Sequence, residues 1–288
     1  MMDRRSNKRE VGRTGRLRIE YARQGRQTIM ARSHCTSPWH LFPPIYLDDI
    51  GSAYTLLVNP SGGLVGGDHL SIDMALTAQS HVIVSTPSAN RVYRSVSKEL
   101  ESVQTIKVTL GEEAILEWVP EHTIPYAGSR FRQAIQVRLA PRSTVLLWDA
   151  MAGGRLAQDE RWTFASLANC VTITTASGDA VMERYRLDHA SALYPAGIAR
   201  SWDYVASLYI VSDAMNPDVW KTLEARLNDV LDAEPGVLLG GVSTPAVPGL
   251  VVKLLARSAP VLTATLEQLW AAVRFTLWGL PPVALRKY

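Results

Sequence analysis

The residues most able to do chemistry fall in a few tight groups. The run Asn59-Pro60-Ser61-Gly62-Gly63-Leu64-Val65-Gly66-Gly67-Asp68 places four glycines within six residues and ends on an acid. Asn-Pro-Ser-Gly suits a type I turn, with Pro at its second position and Gly at its fourth. Glycine admits left-handed or closely approached backbone. Such a loop can cradle a phosphate, but a phosphate loop follows its last glycine with Lys and Ser or Thr. Asp68-His69 follows here, and a carboxylate at that point repels phosphate. The other reading is a pair of tight turns, with Asp68 accepting hydrogen bonds from backbone N–H groups.

His34, Cys35 and His40 lie within seven residues, with Asp48 and Asp49 soon after. Imidazole and thiolate suit borderline divalent metals such as zinc or nickel. No second cluster follows at the spacing of a structural site, so a surface loop is the alternative. The other histidines (His69, His81, His122, His189) are scattered. No nucleophile motif of the Gly-x-Ser-x-Gly kind is present. Acids are numerous, among them Asp73, Glu117, Glu121, Asp149, Asp159, Glu160, Glu183 and Asp188. A glycosidase-like pair could be drawn from them, although sequence spacing cannot show it. Strand alternation puts Glu183 on the same face as Val181, Tyr185 and Leu187. A carboxylate on an apolar face is costly unless it is paired or bound. Arg91, Arg94 and Arg184 are candidate partners for it.

The elements that must position these groups are mostly strands. Runs rich in Val, Ile, Leu, Thr and Tyr recur at 53–58, 69–76, 81–86, 103–110, 114–119, 134–139, 144–148, 171–175, 180–187 and 205–211. Two segments show helical spacing. One runs over 217–233, with Asn216 as N-cap, Pro217 at the first position and Pro235-Gly236 as the stop. The other runs over 261–278, striped by Leu262, Leu266, Leu269, Trp270, Val273 and Leu277 and ended by Gly279 and Pro281-Pro282. Many strands followed by two late helices, without strand–helix alternation, exclude a doubly wound sheet and a TIM barrel. They predict a mainly β body in which the late helical stripe is core.

Composition narrows the class further. The chain has 288 residues, 47% of them hydrophobic and 20% charged, which is a globular balance. No apolar run reaches the ~18 residues of a membrane span, and no apolar segment follows the basic start as it does in a signal peptide. Two cysteines, Cys35 and Cys170, make no disulfide framework and fit a reducing cytoplasm. Residues 1–32 hold ten Lys or Arg and three acids, whereas the remainder holds 20 and 24. The basic start could bind nucleic acid through counterion release. It lacks interleaved aromatics and reads as a solvated extension over residues 1–14, with a single domain over 15–288.

Four blocks, in this order and spacing, carry a resemblance. They are NPSGGLVGGD at 59–68, VSTPSANRVYRS at 84–95, ILEWVPEHTIPYAGSRF at 115–131 and WDAMAGGRLAQDERW at 148–162. Together with Trp270 and Arg274 on the late helix, they resemble the UreD (also called UreH) family of urease accessory proteins over about residues 15–280. Gly62, Gly63, Gly66, Gly67, Tyr93, Arg94 and Asp149 are the motif positions. The chain departs from the family pattern at Gly153-Gly154-Arg155, at Asp159-Glu160 and at its C-terminal residues.

The resemblance implies an irregular β-helical, solenoid-like body with two α-helices in the C-terminal third. It implies a non-enzymatic scaffold in the cytoplasm that docks on apo-urease with UreF and, through UreF, UreG. In that role nickel is in transit rather than a resident cofactor, and neither nucleic acid nor membrane is a partner. It further implies an internal tunnel for nickel with Asp68 and Glu183 as acidic contacts, and Trp270 and Arg274 as partner contacts. The competing expectation is a β-rich carbohydrate-active hydrolase with a carboxylate pair.

Overall fold

A computed structural model describes residues 12–188 and 202–285. His189, residues 286–288 and residues 1–11 of the expected extension lie outside the described residues. The first strands are β1 (Thr14–Gln24), β2 (Gln27–Cys35), β3 (His40–Leu41), β4 (Ile45–Tyr46), β5 (Ala53–Val58) and β6 (His69–Leu76). Then come β7 (His81–Ser85), β8 (Asn90–Val92), β9 (Ser102–Leu110), β10 (Ile115–Trp118), β11 (Thr123–Pro125) and β12 (Arg130–Leu139). They are followed by β13 (Thr144–Ala152), β14 (Ser166–Thr174), β15 (Ala180–Asp188) and β16 (Tyr204–Ser212). Helix α1 (Pro217–Asp232), β17 (Leu238–Ser243), β18 (Gly249–Ala256) and α2 (Ala259–Trp278) complete the chain.

Among the described residues the strands form two mixed sheets. The first has the order β15-β14-β12-β9-β6-β1-β2. The second runs β17-β18-β16-β13-β10-β7-β5-β3, with β4, β8 and β11 beside it. From β5 to β14 the chain passes back and forth between the two. Successive passes pair in parallel at the centre of each sheet, as in β6–β9–β12–β14 and β5–β7–β10–β13. Antiparallel strands border these centres: β2 and β15 on the first sheet, β16, β18 and β17 on the second.

The result is three layers. Leu17, Ile72, Ile106 and Ile135 of the first sheet meet Val82, Leu116, Val145 and Leu147 of the second. The opposite face of the second sheet, with Ile83, Leu146, Leu208 and Val252, packs under Leu223, Leu227, Leu262 and Leu269 of the helices. The second sheet is thus covered on both faces. That explains why β7 and β13 read as near-continuous apolar runs while strands of the first sheet alternate. Strand β1 alternates in the same way through Leu17, Ile19 and Tyr21. It is a strand that the charge of its intervening arginines conceals in the sequence.

Both helices end where their caps dictate. Asn216 accepts from the N–H groups of Asp218 and Val219, and Pro217 opens α1. Helix α2 begins two residues before the apolar stripe, because Ser258 accepts from Val261 N–H and Pro260 fits the first turn. Gly279, at φ 64°, closes it and donates to Phe275 O at 3.0 Å. No helix among the described residues is long and apolar enough to cross a membrane.

Helix α2 is anchored by a buried charge cluster. Glu117 of β10 has no exposed surface. Its carboxylate accepts from His81 Nε2 at 2.5 Å, from Arg274 Nη1 at 2.5 Å and from the indole N–H of Trp270. Arg274 also donates to Asp48 Oδ2 at 3.1 Å and, through Nε, to Pro281 O at 3.0 Å. Burial alone would push the Glu117 carboxyl up, but the hydrogen bond with His81 and the guanidinium of Arg274 hold it below the usual carboxylate range. Trp270 and Arg274, expected at a partner contact, are therefore interior residues at 2% and 0% exposure. The apolar stripe needs a polar anchor on its buried side, and these two residues supply it.

Removing one partner of a buried ion pair leaves the other charge uncompensated, at a cost of about 3–5 kcal/mol. Arg274→Met is expected to lower unfolding stability by about that amount. Adding Glu117→Gln should recover more than half of the loss. Urea unfolding of both variants checks this, and additive losses would contradict the coupling.

Candidate functional site

The inner faces of the two sheets are apolar except where one polar rung from each sheet meets the other. In the first sheet, Gln104, Gln133, Asn169 and Tyr185 stand in register across β9, β12, β14 and β15. In the second, Asp149, Ser207 and Lys253 stand in register across β13, β16 and β18. Each occupies an inward position of its strand, so strand periodicity alone brings them face to face.

Asp149 lies at the junction of the rungs. Its Oδ1 accepts from Gln133 Nε2 at 2.9 Å and its Oδ2 from Asn169 Nδ2 at 2.6 Å. Gln133 also reaches Asn169 Oδ1 at 3.3 Å. Glu183, two residues before Tyr185 on the same face of β15, joins from the side. It accepts from the Tyr209 hydroxyl and from Ser207 Oγ at 3.4 Å, and it is ion-paired with Lys253. Lys253 Nζ is also 3.1 Å from Ser207 Oγ. Of the cations expected for Glu183, Arg91 and Arg94 are exposed elsewhere, and Arg184 sits on the alternate face of β15. Lys253 takes that role instead.

Burial pushes the Asp149 carboxyl up to about 6, against the hydrogen bond from Gln133 and with a further push from the charge of Glu183. The Tyr209 hydroxyl is likewise raised, by burial and by its bond to Glu183.

A cavity of about 90 Å³ runs between the sheets to this junction. That is room for several waters. Its polar lining includes Asn59, Asn90, Gln104, Glu121, Gln133 and Asp149, with Gly62 and Gly63 contributing backbone. A narrower gap continues from Gln133 and Asp149 to Asn169 and Tyr185. At that far side Glu183 is 19% exposed and Lys253 51%, so the polar rung reaches solvent.

The glycine block packs against the block that follows it. Leu64 N–H donates to Arg91 O and Tyr93 N–H to Leu64 O, both at 2.8 Å. A side chain on Gly63 would meet Arg91 O at 2.3 Å, and the Tyr93 hydroxyl donates to Gly62 O. Gly67 sits at φ 93°, a conformation that favours glycine. Gly66 leaves only 3.1 Å between an added Cβ and Leu100 O. Arg94 is exposed, with its stem against Gly128.

Asp68 is 3% exposed and is not among the residues lining the cavity. Its Oδ1 accepts from Arg13 N–H at 2.8 Å and its Oδ2 from Val65 N–H at 2.9 Å. Both oxygens accept from backbone N–H groups, which is the tight-turn reading rather than the phosphate-cradle one.

The His34, Cys35 and His40 group is not drawn together with Asp48, which is held by Ser52 and Arg274. Among the described residues no three His, Cys, Asp or Glu side chains gather as a metal-binding group. The sequence points to Glu183 through its apolar face and to Asp149 as a motif position and one of many candidate acids. That reading missed Gln104, Gln133, Asn169, Ser207, Tyr209 and Lys253. The available signal was polar residues at inward positions of otherwise apolar strands, such as Lys253 within Leu250–Leu255.

Because folding raises the Asp149 carboxyl from its ordinary carboxylate range to about 6, the folded state holds that proton more tightly. Stability therefore falls as pH rises between about 4 and 6, and the penalty is full above that window. Asp149→Asn carries no such penalty. It should melt roughly 2–6 °C above the parent at pH 8, with the offset shrinking toward zero by pH 4. A pH-independent offset would contradict the assignment.

The comparisons agree with the four sequence blocks. A family model described as UreD urease accessory protein matches residues 13–287. A urease accessory protein UreD of Herpetosiphon aurantiacus is 30% identical over 277 residues, covering 95% of this chain and 96% of the relative. One of Deinococcus radiodurans is 30% identical over 276 residues, covering 96% and 95%. One of Cupriavidus pinatubonensis is 28% identical over 273 residues, covering 94% and 92%. With the family model spanning nearly its whole length, this chain belongs to the UreD family of urease accessory proteins.

Proposed function

We propose that this chain is a non-enzymatic scaffold in urease maturation that passes nickel between its two sheets. In this reading it docks on apo-urease together with UreF and UreG, in the cytoplasm. The observation that carries the reading is the polar rung. A narrow cavity edged by amides and hydroxyls leads to Asp149, whose carboxylate feels the charge of Glu183, between sheet faces that are otherwise mostly apolar.

The chemistry suits a cargo that must leave again. Thiolate and imidazole cages hold nickel tightly, whereas single carboxylates, amide oxygens and water exchange. Asp149 and Glu183 offer oxygen without a closed ligand set. Their mutual repulsion, partly offset by Lys253, favours a cation between them. Asp68 accepts from the Arg13 and Val65 N–H groups and is not among the residues lining the cavity.

The hydrolase alternative draws no support from the same geometry. The space at Asp149 is about 90 Å³, against the roughly 300 Å³ or more of ordinary small-molecule pockets.

The test is co-expression with UreF, UreG and apo-urease, followed by capture of the complex and measurement of nickel per urease. Glu183→Gln and Asp149→Asn should be captured at parental stoichiometry and should lower nickel content several-fold. Parental nickel content in both variants would overturn the route.

A further inference from the structure

Lys253 is an unusual neighbour for a cation route. It sits on a strand whose flanking residues are apolar and largely buried, Val251 and Val252 before it and Leu254 after it. Its ammonium lies on Glu183 and Ser207 at the end of the polar rung. Its side chain is half exposed, whereas that of Glu183 is 19% exposed. A four-carbon stem anchored at the sheet and a half-exposed head can swing to water without unpacking the core. Glu183 cannot follow, because Tyr209 holds it from the inner side.

We infer that Lys253 is an exchangeable counter-cation that occupies the Glu183 end of the passage at rest and turns out to solvent when a divalent cation takes its place. This rests on the proposed nickel route and adds to it a residue that sets affinity. Without a cation, Glu183 would sit near Asp149 with like charge and with burial on one side. With Lys253 in place the site is neutralised, so an incoming metal ion must displace the ammonium and gains only the difference between the two pairings. That exchange keeps the site weak enough to release its metal. The displaced water and the Lys253 side chain are resolvated outside.

A purely structural ion pair makes the opposite prediction. Its removal would cost stability and leave metal binding unchanged or weaker. An exchangeable cation predicts tighter metal binding on removal. The size expected for losing competition from a partly exposed ion pair, worth up to about 1 kcal/mol, is roughly 2- to 5-fold in dissociation constant.

The experiment is equilibrium binding of Ni²⁺ to the purified full chain, by competition with a chromogenic chelator. Parent, Lys253→Met, Lys253→Arg, Glu183→Gln and the Lys253→Met/Glu183→Gln double variant are compared, with circular dichroism as a fold check. Lys253→Met should bind Ni²⁺ about 2- to 5-fold more tightly and release it more slowly. Lys253→Arg, which keeps the charge, should stay within about twofold of the parent. The gain should vanish in the double variant. Unchanged or weaker binding by folded Lys253→Met, or a gain that survives Glu183→Gln, overturns the inference. Should Lys253→Met fail to fold, Lys253→Arg carries the test through its release rate: the guanidinium grips the carboxylate bidentately, so release at least as fast as the parent's supports exchange and slower release overturns it. Nickel content of urease matured with Glu183→Gln separates the two levels. If it falls while Lys253→Met leaves affinity unchanged, only this inference fails. If it stays at the parental value, the route itself fails.

Discussion

A carboxylate inside a protein must be neutralised, protonated or compensated, and the architecture here turns on two of them placed on opposite faces of one sheet. The second sheet is covered on both sides, by the first sheet and by the helices. A charge on its central strands is therefore largely interior. Glu117 faces the helices and receives Arg274, His81 and Trp270, which hold it ionised. Asp149 faces the other sheet and receives only two amides, with Glu183 nearby, so its carboxyl rises to about 6. The saturated carboxylate locks a helix to a sheet. The other, met by two amides rather than by a guanidinium, is the one on which the proposed route rests.

The surrounding motifs support that contrast. The glycine turn lets the backbone of 62–64 lie against Arg91 and Tyr93, and Asp68 secures the turn through backbone N–H groups. In the 148–162 block, Arg155 pairs with Glu160 and stacks over Tyr126 at 4.2 Å, while Glu160 also accepts from Ala127 N–H. Gly153 lies so close to the Trp162 ring that a Cβ would sit 2.8 Å from it. These contacts tie together segments far apart in sequence and hold the ends of the polar passage at fixed separation.

Much of this was legible in the sequence. Alternation identified most central strands, and the caps at Asn216 and Gly279 bounded the helices to within a residue at those ends. Glu183 stood out because a carboxylate shared a face with Val181, Tyr185 and Leu187. The paired sheets were beyond reach, since parallel neighbours such as Gln104, Gln133 and Asn169 lie about thirty to forty residues apart and only register unites them. Asp68 was ambiguous for the opposite reason. An acid after a glycine turn serves a backbone staple and a ligand site equally well, and only its N–H partners decide. The stripe holding Trp270 is core, as its helical spacing predicts, whereas the reading of Trp270 and Arg274 as partner contacts does not fit their burial, because residue type does not say which side of a helix is covered.

The central claim is that a divalent cation can occupy the space between Asp149 and Glu183. Crystals of the full chain equilibrated with Ni²⁺ and measured at the nickel absorption edge test it most directly. The account predicts an anomalous peak between the two carboxylates, with the Lys253 ammonium turned away from Glu183. Nickel bound only at exposed side chains such as His34 and His40, with the Glu183–Lys253 pair intact, would contradict it.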